Sequence, residues 1–500
     1  MNFMDEIVNS AAARPTHLAL AEAGRHLTFE AYIAAVVDLA GRMRSWGVGT
    51  GDLVGLRLGD DIDHLLALSA AAWLGAGTMS LDWRTPPKDT RQTLDRVGIR
   101  RLVAINPDDA YAGIDTVSFA KLMATPPTPA PARPVAAADA VFMINATSGT
   151  TGVPQSVAVS HRDNRHRMDR FGLQFGSVVG LRHLSVLPLC FSGGRNWCIY
   201  ALSAGAATFM HPSLFSAQDY LAAVREHHID VGNLVPTAIR WLLDYTEQHG
   251  GTGPLLPGFK ILTIVGDALH APELHQVKQR LTPNIYHPYG TSGTGSLSCL
   301  LPRDIDGHAD SVGRPHTTIT LEVVNASGHP LAAGREGFVR CKGPGTPSTD
   351  NAEIGTDPRG NPDGTIRDGW FYTGEIGVLD EDGYLCIKGR VSDVIIRGGV
   401  NISPGEIEEA MLAIDGISEA AVVAKPSELL GESVAAFVVA DTGIDTKAIK
   451  RQCRAVLAPH KVPEDIYIVE ALPKTTSGKV MKSTLTDRFD PVARVPLPKT

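Results

Sequence analysis

Short apolar or β-branched runs alternate with helical patterns along the chain up to about residue 290. Since a crossover helix returns the chain to a parallel neighbouring strand, this alternation predicts βαβ units around largely parallel sheets, with helices on both faces. We therefore expect an α/β fold with a large N-terminal domain of layered βαβ subdomains. The runs predicted to form strands are residues 52–58, 101–105, 140–145, 183–189, 261–265 and 284–289.

A second, more compact pattern follows Arg390 and occupies about 110 residues. It contains a strand at 394–397, a helix from Pro404 to about Ile414, and strands at 420–424 and 434–440. A segment of this size can bury a core of its own. We predict a division into residues 1–390 and residues 391–500, the second being a small, mobile α+β domain with a hinge near Ser392.

Three other stretches have a composition that predicts their environment. Residues 125–139 are rich in Pro and Ala and should form an exposed connection. Residues 342–369 are dense in Gly, Pro, Asp and Asn, which favours a long surface excursion. The apolar stretch 65–81 is interrupted by Gly75 and Gly77 and is too short to span a membrane, so it predicts a buried helix that runs into a strand.

The charge and the cysteines limit the class of partner. A formal net charge of -8 argues against nucleic acid or an anionic membrane, because both attract clustered Lys and Arg, and it favours a small ligand. The N-terminus has acids where a signal peptide would have basic residues, so we expect a cytoplasmic protein. Reduced thiols are expected because no CxxC pair occurs among Cys190, Cys198, Cys299, Cys341, Cys386 and Cys453.

Residues 145–156, NATSGTTGVPQS, follow a predicted strand. A turn built from Gly, Ser and Thr can direct several backbone N–H groups and hydroxyls into one concavity, which is how a backbone nest binds phosphate. An ordinary flexible loop is the alternative, but the length of the run behind a strand favours phosphate. The chain has no P-loop, since Lys479 lacks both the earlier glycine and the following hydroxyl of G-x-x-x-x-G-K-[ST].

Residues 147–154, TSGTTGVP, resemble the phosphate-binding signature of the adenylate-forming superfamily, which comprises acyl- and aryl-CoA synthetases, peptide-synthetase adenylation domains and beetle luciferases. Four further motifs resemble those of the family in the same order, so the resemblance spans nearly the whole chain. They are YGTSG at 289–293 (Y-G-x-T-E), GWFYTGE at 369–375 (G-W-x-x-T-G-D), GRVSD at 389–393 with GGVNISPGEIE at 398–408 (the hinge and glycine turn), and PKTTSGK at 473–479 (P-K-T-x-S-G-K).

The resemblance implies an AMP-binding domain at 1–390 and a mobile C-terminal domain at 391–500. It implies that Lys479 serves the first half-reaction and that rotation about Ser392 brings up the CoA-binding residues Gly398, Gly399 and Lys461. The phosphate-loop residues so implied are Thr147, Ser148, Gly149, Thr150, Thr151 and Gly152. The other nucleotide-binding residues so implied are Gly266, Asp267, Tyr289 (stacked on adenine), Gly290, Thr291, Ser292, Glu375 (on the ribose hydroxyls) and Arg390.

Each motif residue also has a simpler interpretation. Trp370 and Tyr372 could be core aromatics, Arg390 and Glu375 a surface ion pair, and Lys479 a solvated lysine. The order and spacing of the motifs favour the functional interpretation of all five.

The chain departs from the family's nucleotide-binding and hinge motifs at four positions. Gln155 stands where many members have Lys, and Gly293 where Y-G-x-T-E has the Glu that helps to hold magnesium. Glu375 replaces Asp, and Ser392 stands where hinge acids or lysines are common. Since magnesium prefers an octahedral oxygen shell, one expected ligand is missing, and Asp267 could compensate through water; no metal ligand is assigned.

Residues 188–194, PLCFSGG, resemble the family's P-L-F-H-x-x-G, with Phe191 in place of the His that often gates the acyl pocket. Phe191 and Trp197 predict an apolar wall of that pocket, and core packing is the alternative for both. A surface position is the preferred interpretation of Arg195 over a role in holding a second carboxylate. Ser192 stands where amino-acid-activating relatives have an acid, which disfavours an amino-acid substrate.

The resemblance implies an acyl-CoA synthetase that uses ATP, Mg²⁺ and CoA. A carboxylate is already a nucleophile, so positioning and charge stabilisation suffice, without a general base. One alternative is an acyl-AMP ligase that loads a separate carrier protein, since only 21 residues follow Lys479. Another is a non-catalytic nucleotide or acyl-CoA binder, motivated by Gly293 and Gln155. A homodimer is left open.

Overall fold

The computed structural model of the chain describes residues 2–135, 138–146, 156–212, 216–250, 253–347, 365–474 and 480–489. The predicted phosphate loop 147–152, Gln155 and the predicted catalytic Lys479 lie outside these described residues.

Strands and helices alternate through the first 315 residues. The strands are β1 (Leu18–Glu22), β2 (Arg25–Thr28), β3 (Leu53–Arg57), β4 (Gly77–Ser80), β5 (Arg101–Ala104), β6 (Asp115–Ser118), β7 (Val141–Ala146), β8 (Ser156–Ser160), β9 (Arg182–Ser185), β10 (Ala207–Met210), β11 (Val231–Leu234), β12 (Ile261–Ile264), β13 (Ile285–Thr291), β14 (Gly295–Leu300) and β15 (Arg314–Pro315). The helices are α1 (Met4–Ala13), α2 (Phe29–Ser45), α3 (Ile62–Trp73), α4 (Pro87–Val97), α5 (Phe119–Ala124), α6 (His161–Phe175), α7 (Ser192–Ala204), α8 (Ala217–Glu226), α9 (Pro236–His249), α10 (Ala271–Arg280) and α11 (Ile305–His308).

These strands form two mainly parallel sheets. One has the order β15-β14-β13-β12-β11-β9-β10-β1-β2 and the other the order β6-β5-β3-β4-β7-β8. The predicted α/β architecture of layered βαβ units is confirmed. The strand predicted at 183–189 ends earlier, at Ser185, because the chain leaves the sheet and Pro188 has no N–H to donate to a ladder.

Helix α3 is buried around its whole circumference, which is the pattern of an interior helix. Asp61 caps its first turn by accepting a hydrogen bond from the His64 amide at 3.1 Å. Strand β4 follows directly, so the prediction of a buried helix running into a strand is confirmed. Each Leu that this helix buries contributes roughly 1.5–3 kcal/mol. Within the described ranges, no helix is both long and apolar enough to cross a membrane.

A smaller antiparallel sheet follows, with the order β16-β17-β19-β18 and β20 paired to β19. Part of the predicted surface excursion belongs to this sheet, because residues 365–367 pair with 370–372 through a tight turn. Asp368 and Gly369 both have positive φ in that turn, as a two-residue type I′ hairpin requires. The strands are β16 (Thr320–Val324), β17 (Gly337–Lys342), β18 (Thr365–Arg367), β19 (Trp370–Leu379) and β20 (Leu385–Arg390).

The remaining described residues form a separate sheet, β22-β21-β24-β23, with β25 paired to β24. The sheet has hydrophobic clusters of its own, and its first strand begins five residues after Arg390, the last residue of β20. A domain boundary at 390 stays a prediction. The elements are β21 (Ile395–Arg397), β22 (Val400–Ile402), α12 (Pro404–Leu412), β23 (Ile417–Ser427), β24 (Gly431–Ala440), α13 (Thr446–Val456), β25 (Asp465–Ile468) and α14 (Lys482–Thr486).

Candidate active site

Tyr289 and Glu375 meet between two sheets. Tyr289 lies on β13 and Glu375 on β19, and the Tyr289 hydroxyl donates a hydrogen bond to Glu375 Oε2. Burial, reinforced by the negative charge of Glu375, raises the pKa of Tyr289 well above its usual value, so the phenol keeps its proton and acts as the donor. Two motifs that are 86 positions apart in the chain therefore share one hydrogen bond.

Arg390 stands directly opposite Glu375. The two residues are register partners in the antiparallel pair β19–β20, and directly opposed residues project from the same face of a sheet. The guanidinium of Arg390 and the carboxylate of Glu375 therefore belong to one face, on which Glu375 also receives the Tyr289 hydroxyl.

Trp370 and Tyr372 lie on the outer face of β19. Both are only half-buried, and Arg340 and Lys342 lie over the Trp370 ring, 4.2 and 4.1 Å from its centroid. The core interpretation of these two aromatics is wrong; the core residue is Phe371, whose side chain points the opposite way because side chains alternate along a strand.

The turn after Tyr289 requires glycine. A Cβ on Gly290 would lie 1.9 Å from the Gly295 carbonyl oxygen, so no other residue fits where the two backbones approach. Thr291 and Thr294 close the turn, because the backbone N–H of each donates a hydrogen bond to the other residue's hydroxyl at 3.0–3.2 Å. The turn is therefore a rigid element at the end of β13.

Asn145 connects this turn to the predicted phosphate loop. Asn145 lies on β7, two residues before that loop, and its Nδ2 donates a 2.9 Å hydrogen bond to the Ser292 carbonyl. The structure thus brings residues 289–292 to the strand that leads into 147–152. Sequence reasoning did not assign a role to Asn145.

Arg195 holds Asn145 from the other side. Its guanidinium donates to Asn145 Oδ1 and, at 2.9 Å, to the Leu189 carbonyl. The side chain is 1% exposed, so the expectation of a surface arginine is wrong. The start of α7 directs this residue inward, where carbonyl and amide oxygens accept hydrogen bonds from its two Nη atoms.

Gly266 and Asp267 follow β12 and are exposed. In the parallel pair β12–β13, Thr263 is opposite Tyr286, so the same register continued places Gly266 level with Tyr289. Gly266 has φ +97°, which favours glycine. Asp267 Oδ1 accepts a 3.0 Å hydrogen bond from the Ala268 amide. Both predicted residues therefore follow the carboxyl end of β12, next to the strand that contains Tyr289.

The first turn of α7 lies against the same end of the sheet. Phe191, half-buried, precedes this helix, and the Gly193 carbonyl accepts a 2.7 Å hydrogen bond from Asn233 Nδ2 at the end of β11. A Cβ on Gly193 would lie 3.5 Å from Val265 Cγ2. The region of Phe191 is therefore next to Gly266, as a pocket wall beside the nucleotide residues requires.

Trp197 lies elsewhere. It is 2% exposed and packs in an aromatic cluster, with ring-centroid distances of 4.7 Å to Phe175 and 5.4 Å to His183. The prediction that Trp197 forms the apolar wall is wrong, because Trp197 lies in the second turn of α7, on the side that packs in the hydrophobic core.

The described residues on either side of Lys479 pair with each other and lie beside Glu419 on β23. Lys474 forms a bridge with Val480 and an ion pair with Glu419 at 2.8 Å. Although burial lowers the pKa of Arg240 on α9, its hydrogen bond to Glu273 and the charges of Glu419 and Asp267 raise that pKa above its usual value. The carboxylates of Glu419, on β23, and Asp267, after β12, therefore both raise the pKa of this one arginine.

The predicted CoA-binding glycines form the turn between β21 and β22. Gly398 and Gly399 have φ of +56° and +84°. Predicted CoA-binding residue Lys461 pairs with Glu406 at 2.5 Å, so its ammonium already has a carboxylate partner. Ser392 lies in a short 3-10 turn, Val391–Asp393, and its hydroxyl donates to Asp393 Oδ1 at 3.0 Å.

The turn after Tyr289 offers magnesium no side-chain ligand at position 293. Among the described residues, no group of three His, Cys, Asp or Glu side chains is arranged to hold a metal ion. Gly293 has no side chain to donate an oxygen, and Arg167 on α6 donates a hydrogen bond to its carbonyl. A cation donor at this position does not fit a magnesium ion held by the turn.

Two family models match most of the chain. A family model described as "AMP-binding enzyme" matches residues 7–348, and one described as "AMP-binding enzyme C-terminal domain" matches residues 406–479.

Curated relatives match from end to end. A 2-succinylbenzoate–CoA ligase from Listeria monocytogenes is 28% identical over 478 residues, covering 95% of this chain and 97% of the relative. An indoleacetate–CoA ligase from Aromatoleum aromaticum is 28% identical over 513 residues, covering 96% and 97%.

Solved structures share the fold. The o-succinylbenzoate CoA synthetase (MenE) of Bacillus subtilis, in complex with its acyl-adenylate intermediate, has a TM-score of 0.87 at 22% identity and covers 99% of both chains. The same enzyme with ATP and magnesium ion has a TM-score of 0.86 at 23% identity, covering 96% of this chain and 98% of that one. ATP-bound MatB from Rhodopseudomonas palustris has a TM-score of 0.86 at 23% identity and covers 99% of both chains.

Proposed function

This chain belongs to the AMP-binding enzyme family, and from that premise we propose that it is an ATP-dependent synthetase that joins an aromatic carboxylic acid to CoA. It is an AMP-forming acid–thiol ligase, and ATP, Mg²⁺ and CoA are its cofactors and co-substrates. The observation that carries the proposal is the meeting of distant motifs: Asn145 bonds to Ser292, Tyr289 bonds to Glu375, and Glu375 faces Arg390.

The reaction has two steps. In the first, a carboxylate oxygen of the acid attacks the α-phosphorus of ATP, the bond to the β-phosphate oxygen breaks, and pyrophosphate leaves. In the second, the thiol sulfur of CoA attacks the acyl carbonyl, its proton passes to water, and AMP leaves with the electron pair of the broken C–O bond. The first step needs no general base, because the carboxylate is already a nucleophile, so the protein's contribution to that step is positioning and charge.

We assign the roles of the chain's own residues accordingly. Glu375 holds the ribose hydroxyls while Tyr289 fixes its carboxylate, and Arg390 on the same face adds a positive charge. Residues 147–152 receive the phosphates, and Lys479 serves the first step. Gly398 and Gly399 serve the second step after the C-terminal residues rotate about Ser392, and Lys461 can reach CoA once it leaves Glu406.

An aromatic acid is supported by two observations. The relatives named above act, by their names, on 2-succinylbenzoate and indoleacetate. The position next to the nucleotide residues has Phe191 and Val265, an apolar boundary, and Ser192 in place of an acid that would hold an ammonium group. We place the reaction in the cytoplasm, where all six cysteines would persist as the unpaired thiols that they are in this structure.

The test is pyrophosphate release from ATP and magnesium over a panel of acids, with and without CoA. We expect CoA-stimulated release with 2-succinylbenzoate, indoleacetate or a related aryl acid, and little with malonate or short aliphatic acids. Release that is insensitive to CoA would favour the acyl-AMP ligase that passes its product to a separate carrier protein. Binding of ATP without release for any acid would favour the non-catalytic binder, which the absence of a carboxylate at Gly293 motivates.

A further inference from the structure

Two arginines on α6 hold the turn that follows Tyr289. Arg167 donates from Nη2 to the Gly293 carbonyl and from Nε to the Gly345 carbonyl at 3.0 Å. Arg170 donates from Nη2 to the Thr294 carbonyl at 2.8 Å and from Nη1 to the Pro344 carbonyl at 2.5 Å. The pair therefore clamps the turn at 293–294 to the loop at 344–345.

Both guanidinium groups are buried without a carboxylate partner in the described part of the chain. Arg167 is 3% exposed and Arg170 1%, and every hydrogen bond given above ends on a neutral backbone carbonyl. Burial lowers the pKa of Arg167 to about 9, with repulsion from Arg170 adding to the effect, and lowers that of Arg170 to about 10. Both remain cations at neutral pH, so the turn is backed by two positive charges in a medium that screens them poorly.

The backbone is shaped to admit these side chains. Gly295 has φ +66°, and a Cβ there would lie 3.1 Å from Arg167 Cδ. Gly345 has φ +78°, and a Cβ there would lie 2.9 Å from the Asp163 carbonyl oxygen on α6 and 3.2 Å from Arg170 Nη1. Glycine at both positions therefore lets the backbone come close to α6 and its two arginines.

The clamp holds the same residue, Gly293, at which the family's acidic magnesium ligand is missing. Gly293, whose carbonyl Arg167 contacts, stands where the resembling motif has its acid, and the donors here do not fit a magnesium ion held by the turn. The turn is also tied to the strand before residues 147–152 through Asn145. Positive charge from α6 is thus delivered where the family resemblance places the polyphosphate.

We propose that Arg167 and Arg170 are positioning residues that provide, as fixed buried charge, the favourable potential for the ATP polyphosphate that a turn-held magnesium ion would otherwise provide. Magnesium then reaches the site on the nucleotide and is held by phosphate and water, without a ligand from the turn. This inference rests on the proposed function, because it takes ATP to be the ligand.

The first test needs only the wild-type protein. ATP and AMP are titrated calorimetrically into it, each with magnesium chloride and with EDTA. If fixed charge replaces the turn-held metal, ATP affinity falls by less than about tenfold when magnesium is removed. A larger fall would overturn the proposal. Failure of both ATP and AMP to bind under any condition would instead overturn the proposed function, and the inference with it.

The second test separates charge from scaffold. Arg167→Met removes the charge with little change in side-chain length, and we expect it to weaken metal-free ATP binding by about tenfold or more while AMP binding changes by less than about twofold. Equal weakening of ATP and AMP would mean that the residue only supports the turn and would overturn the proposal. Arg165→Met is the matched control: Arg165 is on the same helix but pairs with Glu6 at 3.1 Å, and ATP binding should stay unchanged.

Discussion

The Tyr289 hydroxyl donates its hydrogen bond to the carboxylate of Glu375, so the ring proposed to stack on adenine and the acid proposed to hold the ribose fix each other. Glu is one methylene longer than the Asp that the family motif has at this position. The longer side chain keeps the negative charge, and in this structure its carboxylate accepts the hydrogen bond of the phenol.

Removal of the Tyr289 hydroxyl tests this pairing. Tyr289→Phe should raise KM for ATP by roughly five- to tenfold, because a hydrogen bond to a charged group contributes about 1.5 kcal/mol or somewhat less here. The measurement is the ATP dependence of acyl-CoA formation. Tyr286→Phe on the same strand is the control and should leave KM for ATP unchanged. If both variants behave like the wild type, the hydrogen bond has no part in nucleotide binding.

Lys479→Ala should separate the two half-reactions. The rate of adenylation, measured as pyrophosphate release, should fall by about a hundredfold or more because a charge-assisted contact to a developing anion is lost. Thioester formation from preformed acyl-adenylate should change by less than about threefold. Lys450→Ala, which removes an amine bonded to the Glu464 carbonyl, is the control for loss of a C-terminal cation. Equal losses in both half-reactions would contradict the role assigned to Lys479.

Gly293→Glu should raise the affinity of the enzyme for magnesium. A Cβ at this position would meet its nearest neighbours at 3.6 Å, so the backbone accepts a side chain there without displacement. The new carboxylate offers magnesium an oxygen ligand, and the magnesium concentration for half-maximal activity should fall by about threefold or more. Gly293→Gln supplies the same length without the charge. An unchanged magnesium titration for the Glu variant would show that the turn does not approach the metal.

Gly290→Ala should damage both stability and activity. Its Cβ would lie 1.9 Å from the Gly295 carbonyl oxygen, so the turn must move, and we expect a loss of about 1–3 kcal/mol in the free energy of unfolding together with weaker ATP binding. Gly258→Ala is the matched control, since a Cβ there would have no neighbour within 4 Å. Denaturant unfolding of the two variants gives the comparison, and equal stability would refute the close approach.

Buried histidines should make the protein acid-sensitive. Burial lowers the pKa of His64 to about 4, while its ring bonds to Ser80 Oγ at 2.8 Å and to the Gly59 carbonyl at 3.0 Å. Because the unfolded state takes up the proton at a higher pH than the folded state, stability is present above pH ~6.5 and is lost towards pH ~4, by about 1.4 kcal/mol per pH unit for this one group.

The measurement is Tm between pH 7 and pH 4. His64→Gln should flatten the slope of stability against pH in that interval, whereas exposed His329→Gln should not. If the Tm of the wild type stays constant as the pH is lowered from 6.5, the burial argument is contradicted. Identical slopes for the His64 variant and the wild type would contradict it as well.

Much of the fold follows from local pattern. The run at 140–145 and the one at 261–265 became strands because β-branched and apolar residues favour strands and their neighbours in the sheet bury them. The composition of 342–369 predicts a surface excursion, and it masks the local signal of the strand at 365–367. An Asp-Gly pair at 368–369 before alternating residues is that signal of a hairpin.

The site residues that belong to sequence motifs could be predicted, whereas those whose orientation depends on packing could not. Tyr289, Glu375 and Arg390 come together, as the order of their motifs suggested. Trp197 and Arg195 were misassigned because sequence does not tell which side of α7 faces the core. Arg167 and Arg170 were missed, although their spacing of three, in step with Asn164, places all three on one helix face.

The contacts of the two arginines with glycine also constrain how this protein can vary. A side chain at 295 or 345 would press closely on α6 and its arginines, and a smaller residue at 167 or 170 would leave carbonyls without their donors, so the cost of each substitution depends on the others. The effects of substitutions at these four positions on stability should therefore be non-additive, and a residue tolerated at one of them depends on what occupies the other three.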